Sequence, residues 1–205
     1  MMNDAGAAVG TTAMEELKPL QELFDADFRS AARGFTVEVL YGIAQRYELG
    51  PAVPENVRHQ FEIARHAYIY SALYTPLCAA AELYAALAVE HALRLRHRAL
   101  KGVGPTNNEP GLKHLLRLAI AEGWIADEGF DFEHLELVLT EEGIEQREVP
   151  LERRQRPTDI VLEVLPDLRN SLAHGQPTMR MEFVSTALQR AAEIINQLFP
   201  SARPA

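Results

Sequence analysis

The sequence predicts an all-α fold, an antiparallel helical bundle, on three observations. Apolar residues recur at spacings of three and four over most of the 205-residue chain, the period of helices with one buried face. Helix punctuation separates these runs: Pro51 and Pro54, Thr75-Pro76, a Gly-, Asn- and Pro-rich stretch from Gly102 to Gly111, and Gly175 with Pro177. Apolar residues make up 47% of the chain and charged residues 24%, enough to build a core and too balanced for wholesale disorder.

Residues 1–13 carry no periodicity and read as a disordered tail. Residues 14–50 read as an N-terminal helical extension. Leu17, Leu20, Phe24 and Phe28 form its first stripe, starting either at a Thr12 cap or at Pro19. Phe35, Val39 and Ile43 continue as a helix, although the alternation of Phe35, Val37 and Val39 also fits a strand.

The bundle domain is expected over residues 54–199. Glu55–Tyr74 reads as one helix, with Phe61, Ala64, Tyr68, Ser71 and Ala72 on one side. Thr75-Pro76 is a kink or a new start, and Leu77–Leu100 is a second long helix whose alanines suit close helix–helix approach. Leu112–Glu122 is a short helix with Leu112, Leu115, Leu116 and Ala119 inward.

A short hairpin or irregular insert is expected near residues 130–157. Leu135, Leu137 and Leu139 alternate and Glu142-Gly143 suits a turn, with a helix as the competing reading. Arg153, Arg154 and Arg156 mark an exposed connector. Thr158–Ala173 is the next helix, kinked or restarted at Pro166. Met179–Phe199 is the last, an amphipathic helix with Phe183, Val184, Ala187, Leu188, Ala191, Ile194, Ile195 and Leu198 on its apolar face.

Several function classes lack their residues. Cys78 is the single cysteine, so an intrachain disulfide framework and cysteine-pair zinc sites are out, and a reducing, cytoplasmic location fits. Cys78 lies among Ala and Leu and reads as an inert, buried thiol. The seven histidines include no H-E-x-x-H pair or other metal-ligand spacing, and there is no G-x-x-x-x-G-K or G-x-S-x-G run. No metal and no cofactor is therefore expected. Residues 1–13 do not resemble a signal peptide. Thr75, Pro76 and Glu82 interrupt the most apolar stretch, Tyr68–Val89, which reads as a helix pair and not a membrane span.

The net charge of −9 argues against a general nucleic-acid coat. The acidity is uneven, since residues 51–110 hold six basic and five acidic side chains, net +1. Within them Arg94, Arg96, Arg98 and Lys101 end the second long helix. They either suit its negative end or form a phosphate-contacting patch, in which Arg94 and Arg98 are the candidate substrate contacts. Tyr68, Tyr70, Tyr74 and Tyr84 read as half-buried packing in preference to a base-stacking platform.

The segment Leu165–Gly175 is the most suggestive. Val161, Leu165, Leu168 and Leu172 form an apolar stripe. At ~100° per residue, Asn170 and His174 fall together on the opposite face and Arg169 lies at the stripe's border. The plain structural reading is a helix ending, in which a histidine followed by glycine caps the last carbonyls.

The run Leu168-Arg169-Asn170-Ser171-Leu172-Ala173-His174-Gly175 also resembles the signature of the HEPN superfamily: an Arg, a polar residue, and a His after four to six intervening residues, here four. A long Ala-rich helix with an internal Glu (Glu82 or Glu90), a short helix and a closing amphipathic helix agree with that likeness, which covers roughly residues 54–199. The resemblance implies a HEPN-type bundle that forms a homodimer around a shared cleft. Many members are metal-independent endoribonucleases, often toxins or defence proteins; others are non-catalytic modules that bind nucleotides or proteins. Carried over, Arg169 and His174 would be the catalytic pair and Asn170 the residue orienting them, with RNA as substrate and an antitoxin or other protein as partner. Toxins that pair with nucleotidyltransferase antitoxins often have Tyr two residues after the His; Gln176 stands there in this chain.

Overall fold

The computed structural model describes residues 16–102, 110–131, 135–140, 143–150, 152, 154–175 and 181–201. The expected tail over residues 1–13 and Gln176 lie outside them. Helices α1 (Phe28–Ala31), α2 (Val37–Ala44), α3 (Glu55–Tyr70), α4 (Leu77–Lys101), α5 (Leu112–Ala121), α6 (Pro157–Ala173) and α7 (Met181–Leu198) carry the architecture. Strands β1 (Leu135–Thr140) and β2 (Gly143–Glu148) form an antiparallel hairpin between α5 and α6, with Leu137 opposite Gln146 and Thr140 opposite Gly143. The protein is therefore a helical bundle with a hairpin insert. No helix among the described residues is long and apolar enough to cross a membrane.

Helix α4 is the spine, packed by α3, α5, α6 and α7. At ~1.5 Å per residue its 25 residues run for about 38 Å. Ala81, Ala85, Ala88 and Ala92 are fully buried on it, so neighbouring backbones can approach closely. Phe61, Ala64 and Tyr68 of α3 meet this surface on one side, and Leu188, Ile195 and Leu198 of α7 belong to the same core. Cys78 is buried and forms no disulfide. Of the four tyrosines, Tyr68 is buried and Tyr84 packs against the core, while Tyr70 and Tyr74 are exposed. Gly102 ends α4 in the left-handed conformation at φ 62°, which a side chain would disfavour.

The boundary at Thr75-Pro76 is a restart. Helix α3 stops at Tyr70 and α4 begins at Leu77, so Ala72 and Ser71 leave the helix but stay buried. Thr75 does not cap α4. Its amide donates to Asp27 Oδ2 at 2.9 Å, and its hydroxyl lies 2.9 Å from Ser30 Oγ. Helix α6 runs unbroken through Pro166.

The N-terminal extension differs most from expectation. Leu17, Leu20, Phe24 and Phe28 do not form one helical stripe. Residues 20–22 make a single 3-10 turn, α1 is four residues long, and the four side chains are 92, 81, 85 and 77% exposed. Short helices need tertiary packing, and no apolar surface covers these residues. Polar anchors set the path instead: Lys18 Nζ donates to the Leu73 carbonyl at 3.0 Å, the Asp27 amide to the Ala72 carbonyl at 2.9 Å, and Ser30 Oγ to the Ser71 carbonyl at 2.9 Å. Residues 37–44 resolve as helix and not strand. Thr36 caps them by accepting the Val39 amide, and Leu40 and Ala44 enter the bundle core.

Helix α6, which carries the signature residues, starts without a local side-chain cap. Asp127, thirty residues upstream, supplies it from outside. Its Oδ1 accepts the Thr158 amide at 3.0 Å and the Thr158 hydroxyl at 2.7 Å, and its Oδ2 accepts from Arg156 Nε at 2.7 Å. Burial would raise the Asp127 pKa, but the bonds from Arg156 and Thr158 outweigh it and hold the carboxyl below its ordinary value. Asp127→Ala is expected to destabilise the protein by ~1 kcal/mol, the worth of a helix cap. Urea unfolding of the two proteins checks this.

Candidate functional site

The last turns of α6 present the signature. Asn170 and His174 are exposed, and neither side chain has a hydrogen-bond partner among the described residues. Backbone bonds close the helix: the His174 amide donates to the Asn170 carbonyl at 3.0 Å and the Gly175 amide to the Leu172 carbonyl at 3.1 Å. Gly175 takes φ +75°, the left-handed turn that glycine suits. The imidazole thus does not cap the helix carbonyls, contrary to the plain structural expectation.

Arg169 points elsewhere. Residues five apart are roughly 140° apart around a helix, so Arg169 and His174 diverge on one chain. Arg169 Nε donates to Glu90 Oε2 at 3.2 Å. Glu90 is buried in α4, and its Oε1 accepts from Arg94 Nη2 one turn later. One carboxylate therefore holds two guanidinium groups from two helices. Arg169 is 33% exposed, and its two terminal nitrogens make no bond to the described residues.

These groups line one pocket of about 330 Å³, together with Gln60 of α3 and His91 and Arg98 of α4. The expected substrate contacts Arg94 and Arg98 are thus brought beside Arg169. Arg96, from the same basic run, turns away, with its guanidinium 5.9 Å from the centre of the Trp124 ring. Three arginines against one glutamate give this pocket a local positive charge within an acidic chain. His174 and Asn170 do not line it.

His91 is fixed at both ring nitrogens. Nε2 lies 3.2 Å from Asn56 Nδ2, and Nδ1 lies 3.1 Å from Gln60 Oε1. Burial first, then the Arg98 and Arg94 charges, hold its pKa below the ordinary imidazole value.

The other glutamate of α4, Glu82, serves a different place. It lines a separate, mainly apolar cavity of about 350 Å³ with Val161, Leu165 and Leu168 of α6 and Ala187 and Ile194 of α7. That cavity contains none of the signature residues. Among the described residues no group of three or more His, Cys, Asp or Glu side chains is placed to hold a metal.

Sequence reasoning missed Gln60 and His91 and did not separate Glu82 from Glu90. The Glu90–Arg94–Arg98 series at spacing four was a usable signal for one face of α4. Nothing local could place Gln60, thirty-one residues before His91, on that face. No family model matches the chain, and no curated protein and no solved structure matches it.

Proposed function

We propose that this protein is a HEPN-like, metal-independent endoribonuclease of the kind found among toxins and defence proteins, a cytoplasmic homodimer that cuts single-stranded or looped RNA. The observation that supports this reading most is Arg169. A buried carboxylate orients it into a cationic pocket, with its terminal nitrogens left for a ligand. A guanidinium fork is always charged and matches phosphate oxygens. On the same helix end, His174 is exposed and can move protons, with Asn170 on its face to orient it or the substrate.

Cleavage of RNA without a metal needs a base for the 2′-hydroxyl, an acid for the leaving 5′-oxygen and a cation on the charged phosphorane. One chain brings one His174, and a two-fold pair brings two. The cleft formed by two α6 ends would then place each His174 near an arginine pocket. Light scattering at micromolar concentration is expected to give twice the chain mass; a monomer would count against the catalytic reading. An antitoxin or other protein would act by covering this cleft.

Incubating an RNA ladder with wild type and His174→Ala, with and without EDTA, tests the proposal. Cleavage by wild type alone, unaffected by EDTA, is the expected result. The second reading, a non-catalytic module binding nucleotide or protein, draws on the separation of His174 from the pocket within one chain. It forecasts ligand binding with no cleavage by either protein.

A further inference from the structure

Gln60 and His91 take no part in the proposed cleavage, yet they form one wall of the arginine pocket. Their hydrogen bonds fix which atoms that wall offers. Asn56 Oδ1 accepts the Val57 amide at 3.0 Å, which turns Asn56 Nδ2 toward His91 Nε2. Nε2 is therefore the acceptor of a neutral ring, and Nδ1 carries the proton. That proton goes to Gln60 Oε1. The end of Gln60 left over is Nε2, a donor with no partner among the described residues.

We propose that this pocket seats one nucleotide of the substrate, with its phosphate against Arg94, Arg98 and Arg169 and its base against Gln60 Nε2, and that it favours the keto bases guanine and uracil. The inference rests on reading the pocket as the substrate pocket of the ribonuclease. At about 330 Å³ the pocket falls in the range of small-ligand sites, and its lining holds three cations and a neutral amide. A free glutamine reads adenine with oxygen and nitrogen together. Here the oxygen already holds the His91 proton, so the remaining donor suits the carbonyl acceptors of guanine and uracil. Where guanine and uracil carry O6 and O4, adenine and cytosine carry an amino group, so a base seated by that edge would put donor against donor.

Calorimetric titration of the full chain with GMP, UMP, AMP, CMP and inorganic phosphate tests this. GMP and UMP should bind roughly 2–10-fold tighter than AMP and CMP, the worth of one net hydrogen bond. Gln60→Ala should make the four nucleotides equal and leave inorganic phosphate binding unchanged. Gln60→Glu can still accept the His91 proton but offers a second oxygen to the pocket, so it should reverse the preference toward AMP and CMP even if all affinities drop. Arg169→Ala should weaken every ligand, inorganic phosphate included. Equal binding of the four nucleotides by wild type, no binding of any, or a keto preference that survives Gln60→Ala would overturn the inference. Because binding is read without cleavage, its outcome is separate from that of the ribonuclease reading. Keto-selective binding with no RNA cleavage would defeat only the latter, and His174-dependent cleavage with indifferent binding would defeat only the base-reading wall.

Discussion

His174→Ala is expected to lower the rate of RNA cleavage by ~10²–10⁴-fold, the usual worth of a general acid or base. The same substitution should leave the melting curve almost unchanged. The side chain is exposed and bonds to nothing among the described residues, and backbone bonds with Gly175 close the helix without it. Arg169→Lys should also cut activity sharply while keeping the charge. A lysine can approach Glu90, but as a point charge it cannot hold that carboxylate through one nitrogen and offer a planar pair to a phosphate. Loss of activity in both variants, with both folded by circular dichroism, is the expected pattern. A cleavage rate in His174→Ala within a few-fold of wild type would remove the histidine from the mechanism.

The second large effect concerns stability. Asp27→Ala should destabilise the protein by ~2–4 kcal/mol, since it removes a helix cap and leaves a buried amide unpaired. For a chain of this size that is a fall of roughly 5–15 °C in melting temperature. Asp27 is 5% exposed and joins the extension to the α3–α4 corner. Its oxygens accept the Arg29 amide at 2.9 Å, Arg29 Nη2 at 2.6 Å and the Thr75 amide at 2.9 Å.

Burial alone would raise the Asp27 pKa. The bonds from Arg29 and Thr75 overcome it and hold the carboxyl far below its ordinary value of 3.8. A carboxyl with a lowered folded-state pKa stabilises the fold above its unfolded value, and that gain is lost as pH falls toward the folded value. The gap in stability between wild type and Asp27→Asn should therefore be full at neutral pH and narrow progressively below about pH 4. Urea unfolding at several pH values measures it. A gap that widened on acidification would contradict the assignment.

The bundle was legible where one periodic face met one buried surface. Helices α4, α5 and α7 show Leu, Ile and Ala at spacings of three and four, and each lies within two residues of its expected ends. The hairpin was legible only as one of two readings, since the alternation of Leu135, Leu137 and Leu139 left a helix in competition. The extension was not, because Leu17, Leu20, Phe24 and Phe28 have helical spacing but no surface to pack on, and the Lys18, Asp27 and Ser30 bonds to distant residues decide the path.

The site divides in the same way. Arg169, Asn170 and His174 are adjacent in sequence and stood out there. Glu90 had a local signal in its spacing to Arg94 and Arg98, but Gln60 of α3 and Arg169 of α6 join it and His91 only when the helices pack, so nothing in Gln60's own neighbourhood set it apart. The pairing of Glu90 with Arg169 spans 79 positions.

The most direct test of metal-independent cleavage through the 2′-hydroxyl compares one RNA oligonucleotide with its fully 2′-O-methylated copy, each incubated with the wild-type protein in EDTA. The account predicts that the unmodified strand is cut to fragments ending in a cyclic 2′,3′-phosphate, read by mass spectrometry, while the methylated strand stays intact. Cleavage of both strands, or cutting of the RNA only after a divalent ion is restored, would contradict it.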